Sequence, residues 1–316
     1  MELIPSQKQR VWKEPAVVNF SMGGIGTGFY LLALLVNLPA NGNWLQAFLS
    51  GNADWFFIAF VAAVFKLLGV ACAGVGFIAL TFEAGQPQRG INLFRHLRRS
   101  WMSRETLAFF LFAAFAGLDW LYPFFILRAL ASFAAFFLMM AQGFIPYRAR
   151  GVITWNTPSI IFYFLTCGFM TGAGLMLIVF NVMQFFAPTL YAFPFAWLAI
   201  IAAVMNLALW FVYLQTPDAT FQKAVHALKT APAMWQIVGV GHVLPVLLLI
   251  LASTLFVSAR LPLEIIAGAL LIFGGVRQKY GIVLQVGYLR AITLSSPKSG
   301  TERLEAIRAQ YRAKRT

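Results

Sequence analysis

The chain has 316 residues, 60% of them hydrophobic and 11% charged, with a formal net charge of +14. An ordinary soluble domain is about half apolar and about a quarter charged. So few charges cannot cover a water-facing surface, which excludes a soluble globular protein and makes lipid the natural solvent.

The basic residues lie between and after the apolar runs, as membrane topology requires, so no nucleic-acid partner is expected. Membrane lipids are the expected surroundings. Two cysteines, Cys72 and Cys167, sit inside apolar runs. They are too few for an iron–sulfur cluster or a closed zinc site, and they make no disulfide framework. They read as small buried residues.

A polar stretch from Glu2 to Glu14 opens the chain. The apolar run after it is a full span without a small-residue cleavage site, so no cleavable signal peptide is expected. Hydropathy then predicts eight transmembrane helices, over 18–38, 55–81, 105–121, 124–145, 158–183, 190–214, 235–257 and 262–282. The fold class is an all-α integral membrane protein, a bundle of eight transmembrane helices. Residues 1–290 form the anchor domain and 291–316 a basic cytoplasmic tail.

The stretch 105–145 is too long for one crossing. It breaks at Asp119-Trp120-Leu121-Tyr122-Pro123, because proline starts a helix more easily than it continues one. Charge supports that break. With eight spans, Lys8, Arg10, Lys13, Arg89, Arg95, Arg98, Arg99, Arg104, Arg148, Arg150, Lys223 and Lys229 share one side with the basic tail from Arg277 to Arg315. The other side holds Arg128 and Arg260. The positive-inside rule places both termini in the cytoplasm and the chain in the inner membrane.

The loop 216–234 carries Phe221, Val225 and Leu228 at helical spacing, which predicts a short interfacial helix. Residues Thr301 to Arg312 predict a surface helix against anionic lipid or a partner, with a solvated tail as the alternative. No internal repeat is visible, which leaves a secondary transporter without support.

The segment Thr81 to Glu105 carries the chemistry. Glu83 falls at the C-terminal end of the second helix. The helix dipole and the lipid boundary both disfavour a charge there, which suits a proton-exchanging group. An interfacial ion pair with Arg89 or Arg95 explains the residue equally well. Ser103 predicts the N-cap of the third helix, with Glu105 in its first turn. The dipole stabilises such a carboxylate without any function. Trp101 alone reads as an interfacial anchor. Together, Arg98, Arg99, Ser100 and Trp101 with the two acids supply what a quinone headgroup needs. These are donors for its carbonyls, a slot for its ring, and an acid or base for its protons. The same face also suits an acidic soluble partner.

Three pieces of this segment carry a family resemblance: Glu83-Ala84-Gly85-Gln86-Pro87, Asn92-Leu93-Phe94-Arg95 and Ser100-Trp101-Met102-Ser103-Arg104-Glu105. The chain resembles the membrane-anchor subunits of the dimethyl sulfoxide reductase and polysulfide reductase group. Trp12-Lys13-Glu14-Pro15 before a glycine-rich first helix, the run Tyr147 to Pro158 and the eight-span count agree with this. The resemblance implies a molybdopterin catalytic subunit, a ferredoxin-like four-cluster iron–sulfur subunit, and a quinone, ubiquinone or menaquinone, bound beside the nearest cluster. It implies that Glu83 and Glu105 handle protons and orient the headgroup. Arg98, Arg99, Ser100 and Trp101 shape the pocket, and Asn19 faces it.

The chain departs from dimethyl sulfoxide reductase anchors at Glu83, where they often carry histidine. It departs again in sidedness, since many relatives place this loop outside. An inside loop implies a cytoplasmic substrate. The anchor of a phenylacetyl-CoA:acceptor oxidoreductase would fit.

The histidines are His96, His226 and His242. Only His242 is within a span, and a bis-histidine haem needs two. No haem, iron–sulfur cluster or metal site is therefore expected in this chain, and His242 reads as a hydrogen-bonded helix residue. Lys66, Asp119 and Arg128 suggest a polar path toward the outer side, or else a local ion pair with a snorkelling arginine. Gly23, Gly24, Gly26 and Gly28 predict close helix packing. A purely structural anchor without quinone chemistry remains a further alternative, and it makes Glu83 dispensable.

Overall fold

The computed structural model describes residues 2–4, 7–9, 12–36, 44–52, 54–83, 96–186, 194–256, 259–289 and 292–293. Lipid offers the backbone no hydrogen-bond partners, so an apolar chain satisfies itself as helices. In chain order these are α1 (Glu14–Ala33), α2 (Trp44–Leu49), α3 (Trp55–Glu83), α4 (Trp101–Leu121), α5 (Phe125–Arg148), α6 (Ser159–Phe186), α7 (Phe195–Leu214), α8 (Ala219–Val225), α9 (Ala231–Thr254) and α10 (Arg260–Gln285). Among the described residues, α1, α3, α5, α6, α7, α9 and α10 are long and apolar enough to cross a membrane. The 21 residues of α4 are too polar at their start for that criterion, yet they extend about 31 Å and pack along α5. The result is an all-α, multi-pass membrane protein. Each expected span has its helix, with bounds moved by a few residues.

The turn between α4 and α5 falls where Pro123 requires it. Asp119 fastens it by accepting from the Phe124 N–H at 3.2 Å. Beside this turn the short α2 stacks Trp44 on Trp120, with ring centroids 5.2 Å apart. Pro15 opens α1 at a position where a missing N–H goes unnoticed. In α9 the helix widens to π geometry over Trp235–Val243, immediately before Pro245, which has no N–H to give the ladder.

Helix α1 is the hub, packing against α3, α5, α6 and α10. Its glycines serve two purposes. A Cβ on Gly26 would lie 2.2 Å from the Gly69 carbonyl oxygen of α3, and one on Gly28 would lie 2.2 Å from the Gly168 carbonyl oxygen of α6. These two let backbones touch, as expected. Gly23 and Gly24 instead face the heads of polar side chains, Gln142 and Lys279.

The end carrying both termini is sealed by chain segments distant in sequence. Strands β1 (Glu2–Ile4) and β2 (Ile292–Thr293) pair antiparallel. The Leu289 N–H donates to the Gln7 carbonyl at 2.7 Å, and the Gln9 N–H to the Gly287 carbonyl at 2.8 Å. Trp155 stacks on Trp12 with centroids 4.5 Å apart, and its indole N–H donates to the Ile282 carbonyl at 2.9 Å.

Three expectations are corrected. The loop helix forms as α8, capped by Asp218, but Phe221, Val225 and Leu228 are buried in the protein core beside Tyr213 and Ile282 rather than lying on lipid. Protein supplies enough apolar surface to claim that face. Lys279, counted with the basic tail, is 1% exposed inside the bundle. The segment 291–316 is not tail throughout, since Ile292 and Thr293 pair with β1. Residues 294–316, with the helix expected over Thr301 to Arg312, lie outside the described residues.

Gly26→Val should destabilise the bundle by about 3 kcal/mol, because backbone atoms of α3 cannot retreat from the new side chain. Thermal melting of the detergent-purified protein measures this. Gly117→Ala, where a Cβ meets nothing within 4 Å, should leave melting unchanged or raise it.

Candidate functional site

At the start of α4 the chain makes a tight turn in which the N–H groups of Arg99 and Ser100 both donate to the His96 carbonyl. Arg104 holds that turn, donating to the carbonyls of Leu97 and Arg98 at 2.9 Å each. Ser100 caps α4, accepting from the Ser103 N–H at 3.3 Å. The expected cap at Ser103 is therefore corrected. Ser103 lies buried within the first turn. Glu105 consequently sits at the start of the second turn, where the dipole has little hold on it.

Glu105 is 1% exposed. A carboxylate withdrawn from water needs donors, and two side-chain amides supply them. Asn19 of α1 donates to its Oε1 at 3.0 Å, and Gln142 of α5 donates to the same oxygen at 3.1 Å. The Gln142 amide also donates to the Asn19 carbonyl at 3.2 Å, locking three helices together. Two glycines make the approach possible. A Cβ on Gly23 would stand 2.1 Å from the Gln142 Nε2, and one on Gly76 of α3 would stand 3.1 Å from the Asn19 Cα.

Trp101, half-buried, stacks flat on Phe144 with centroids 4.1 Å apart and an interplanar angle of 7°. The Arg104 guanidinium lies 4.3 Å from its ring centroid on a cation–π contact. Arg98 and Arg99 are exposed. Glu83 is the last residue of α3. Its side chain and residues 84–95 lie outside the described residues. Of the expected site residues, the structure thus joins Asn19 to Glu105 and uses Ser100 as a cap. It clamps Trp101 nearby and leaves Arg98 and Arg99 on the surface.

Sequence reasoning passed over Gln142. Its signal was a lone amide in the apolar run Phe133 to Ile145. Lys279 was also passed over. Its Nζ donates to the Phe20 carbonyl at 2.6 Å.

Near the opposite end, Asp119 is 1% exposed and lies 3.1 Å from Lys66 and 3.4 Å from Arg128. Beyond Thr106, the buried face of α4 as far as Asp119 consists of Ala108, Phe112 and Ala116. A local ion cluster, rather than a polar path along α4, is what the described residues form. His242 has its Nδ1 2.7 Å from the Ile237 carbonyl and its Nε2 2.9 Å from the Asn206 Oδ1, so both ring nitrogens are engaged. An open groove of about 490 Å³ between α2 and the α4–α5 turn is lined mainly by apolar side chains and lies far from Glu105.

A bundle built almost wholly of helices long and apolar enough to cross a membrane defines a multi-pass membrane protein. The chain belongs to the DMSO reductase anchor subunit (DmsC) family, whose model matches residues 58–279, more than half of its length. Glu83, Glu105, Gln142 and Lys279 fall inside that match, and Asn19 precedes it. A sulfite dehydrogenase subunit of Allochromatium vinosum is 27% identical over 168 residues. That similarity covers 47% of this chain and 49% of the relative, so the chain spans about half of the relative's length. The protein is thus a multi-pass membrane protein of an anchor-subunit family.

Asp119→Leu should lower stability by about 3 kcal/mol, because it strands Lys66 in the bundle. Adding Lys66→Met should restore most of the loss. Melting temperatures of the two variants against wild type give the answer.

Proposed function

We propose that this anchor exchanges electrons between a partner iron–sulfur subunit and membrane quinone, with Glu105 handling a proton of the quinone headgroup. The observation that carries this reading is a buried carboxylate held by Asn19 and Gln142 at the basic end of the bundle. A carboxylate at that depth is expensive and is retained where it does chemistry. Its donors touch one oxygen and keep the group oriented. Trp101, clamped between Phe144 and Arg104, supplies a rigid aromatic wall beside it.

Under this reading quinone is a substrate that enters from the lipid. Its reduction consumes two electrons, delivered by the partner's clusters, and two protons. Glu105 provides a proton at its carboxyl, and the amides of Asn19 and Gln142 exchange their contact with the carboxylate for one with a headgroup oxygen. Glu83, at the end of α3, refills protons from the aqueous side. Ser100 and the exposed Arg98 and Arg99 shape the rim, where acidic surface of a ferredoxin-like subunit with four clusters docks. A molybdopterin subunit sits beyond it.

The positive charge at this end supports a reading in which the site, both termini and the soluble subunits are cytoplasmic and the bundle spans the inner membrane. The relative carrying the name of a sulfite dehydrogenase subunit favours electron flow from an oxidised substrate to quinone. A cytoplasmic substrate unable to cross the membrane, such as a coenzyme A thioester like phenylacetyl-CoA, fits that sidedness.

In the purified complex, Glu105→Gln should reduce quinone-linked turnover about a hundredfold. Turnover with an artificial dye that accepts electrons directly from the soluble subunits should stay normal. Unchanged quinone turnover in an assembled variant would reject the role of Glu105.

A further inference from the structure

Lys279 and Gln142 approach the same stretch of α1 from different neighbours. Gln142 Nε2 bonds the Asn19 carbonyl and rests on Gly23. Lys279 Nζ bonds the very next carbonyl, that of Phe20, and rests on Gly24, where a Cβ would stand 2.6 Å away. One face of α1 therefore holds the amide that grips Glu105. An adjoining face holds a buried amine.

That lysine has unusual company. It is 1% exposed, so its head has not snorkelled to the surface. Its described contacts are the Phe20 carbonyl and the Phe164 ring, 5.6 Å to the centroid. No carboxylate pairs with it among the described residues. The titratable group facing it is Cys167 of α6, while α1 offers backbone only. His242 of α9 is turned to Asn206. A structural lysine in lipid is normally paired with an acid, as Lys66 is with Asp119. The single bond of Lys279 can be made by an ammonium or by a neutral amine, since both carry an N–H. Nothing in its surroundings requires a fixed charge.

Beside it lies a group of buried polar atoms that no described protein atom satisfies. These are both amide atoms of Gln278. Gly275, Gln278 and Ile282 recur at helical spacing on one face of α10. Gly275 meets Cys167 and Thr171 of α6, and Ile282 shares a core cluster with Tyr163 and Cys167. Gln278 therefore points into the same α6–α10 seam as Cys167, the titratable group near Lys279. Buried polar atoms are normally paired, by protein or by ordered water.

We propose that Lys279 is the second proton-holding group of the site, served by internal water that Gln278 holds in the α6–α10 seam. This rests on the quinone reading above. Two-electron reduction of quinone to quinol then draws one proton from the Glu105 carboxyl and one from the Lys279 ammonium. The electrons come from the partner's clusters. The carboxylate and amine left behind are reprotonated from water, Lys279 through the seam. Quinol oxidation runs the same transfers backward. Lys279 acts through internal water and is not itself in contact with the headgroup.

The test uses the intact complex. Lys279→Met removes the proton, and Lys279→Arg keeps a charge that cannot be given up. Both should lower quinone-linked turnover about tenfold or more and alter its pH profile, with dye-linked turnover unchanged. A purely structural cation would be rescued by arginine, so wild-type turnover and pH profile in Lys279→Arg overturn the proposal, as they do in Lys279→Met. If Lys279→Met fails to assemble, Gly24→Ala displaces the amine without deleting it and should give the same loss. Normal turnover there also overturns the proposal.

The water is tested apart from turnover. Gln278→Met is nearly isosteric. It should lower the melting temperature of the complex if the amide bonds water, and raise it if the seam is dry, which counts against the proposal. Loss of turnover in Glu105→Gln with normal turnover in Lys279→Arg discards this inference alone. Normal turnover in both discards the quinone reading as well.

Discussion

The structure depends on how closely other groups can approach α1. A helix surrounded on several sides has no lipid to relax into, and van der Waals contact is its main source of cohesion. By dispensing with side chains at Gly26 and Gly28, α1 brings the backbones of α3 and α6 against its own. By dispensing with them at Gly23 and Gly24, it lets two long polar side chains reach the helix surface. One stretch of sequence thus produces both the tightest packing and the polar site. The location of Glu105 follows from this, because Asn19 and Gln142 can meet it only where α1 presents no bulk.

The buried polar groups divide by distance from the two ends. Asp119 neutralises Lys66 and fastens the turn that Pro123 creates, so its chemistry is spent on architecture. Glu264 does similar work with Arg260 and Asn181, at 2.6 and 2.8 Å. Glu105 differs, since amides rather than cations hold it. An amide pair stabilises an ionised carboxylate less than a lysine does and also tolerates the protonated form. That distinction separates a site able to change its proton count from the ion pairs that hold helices together.

Much of the fold was legible in the sequence because lipid imposes a simple rule on length and apolarity. The eight spans, the break at Pro123 and the basic end all followed from it. Helix starts were less legible. Ser100 and Ser103 are equally good caps by composition, and the choice between them lies in the turn that brings the His96 carbonyl to Ser100. The α8 segment showed its apolar stripe, but a stripe does not say whether lipid or protein covers it. Glu105 and Asn19 were visible as polar residues near span ends. Their contact was not, since 86 residues separate them. Gln142 and Lys279 escaped for a related reason. A lone polar residue near the end of a span reads as surface until the facing helix is known to carry glycine there.

The floor of the bundle joins residues that precede α1 to residues that follow α10. Gln7 and Gln9 find their partners at Leu289 and Gly287, and Trp12 leans on a tryptophan whose indole is tied to Ile282. During insertion Trp12 meets Trp155 once α5 is in place, whereas Gln7 and Gln9 have their partners only after α10 has followed, so the floor closes last.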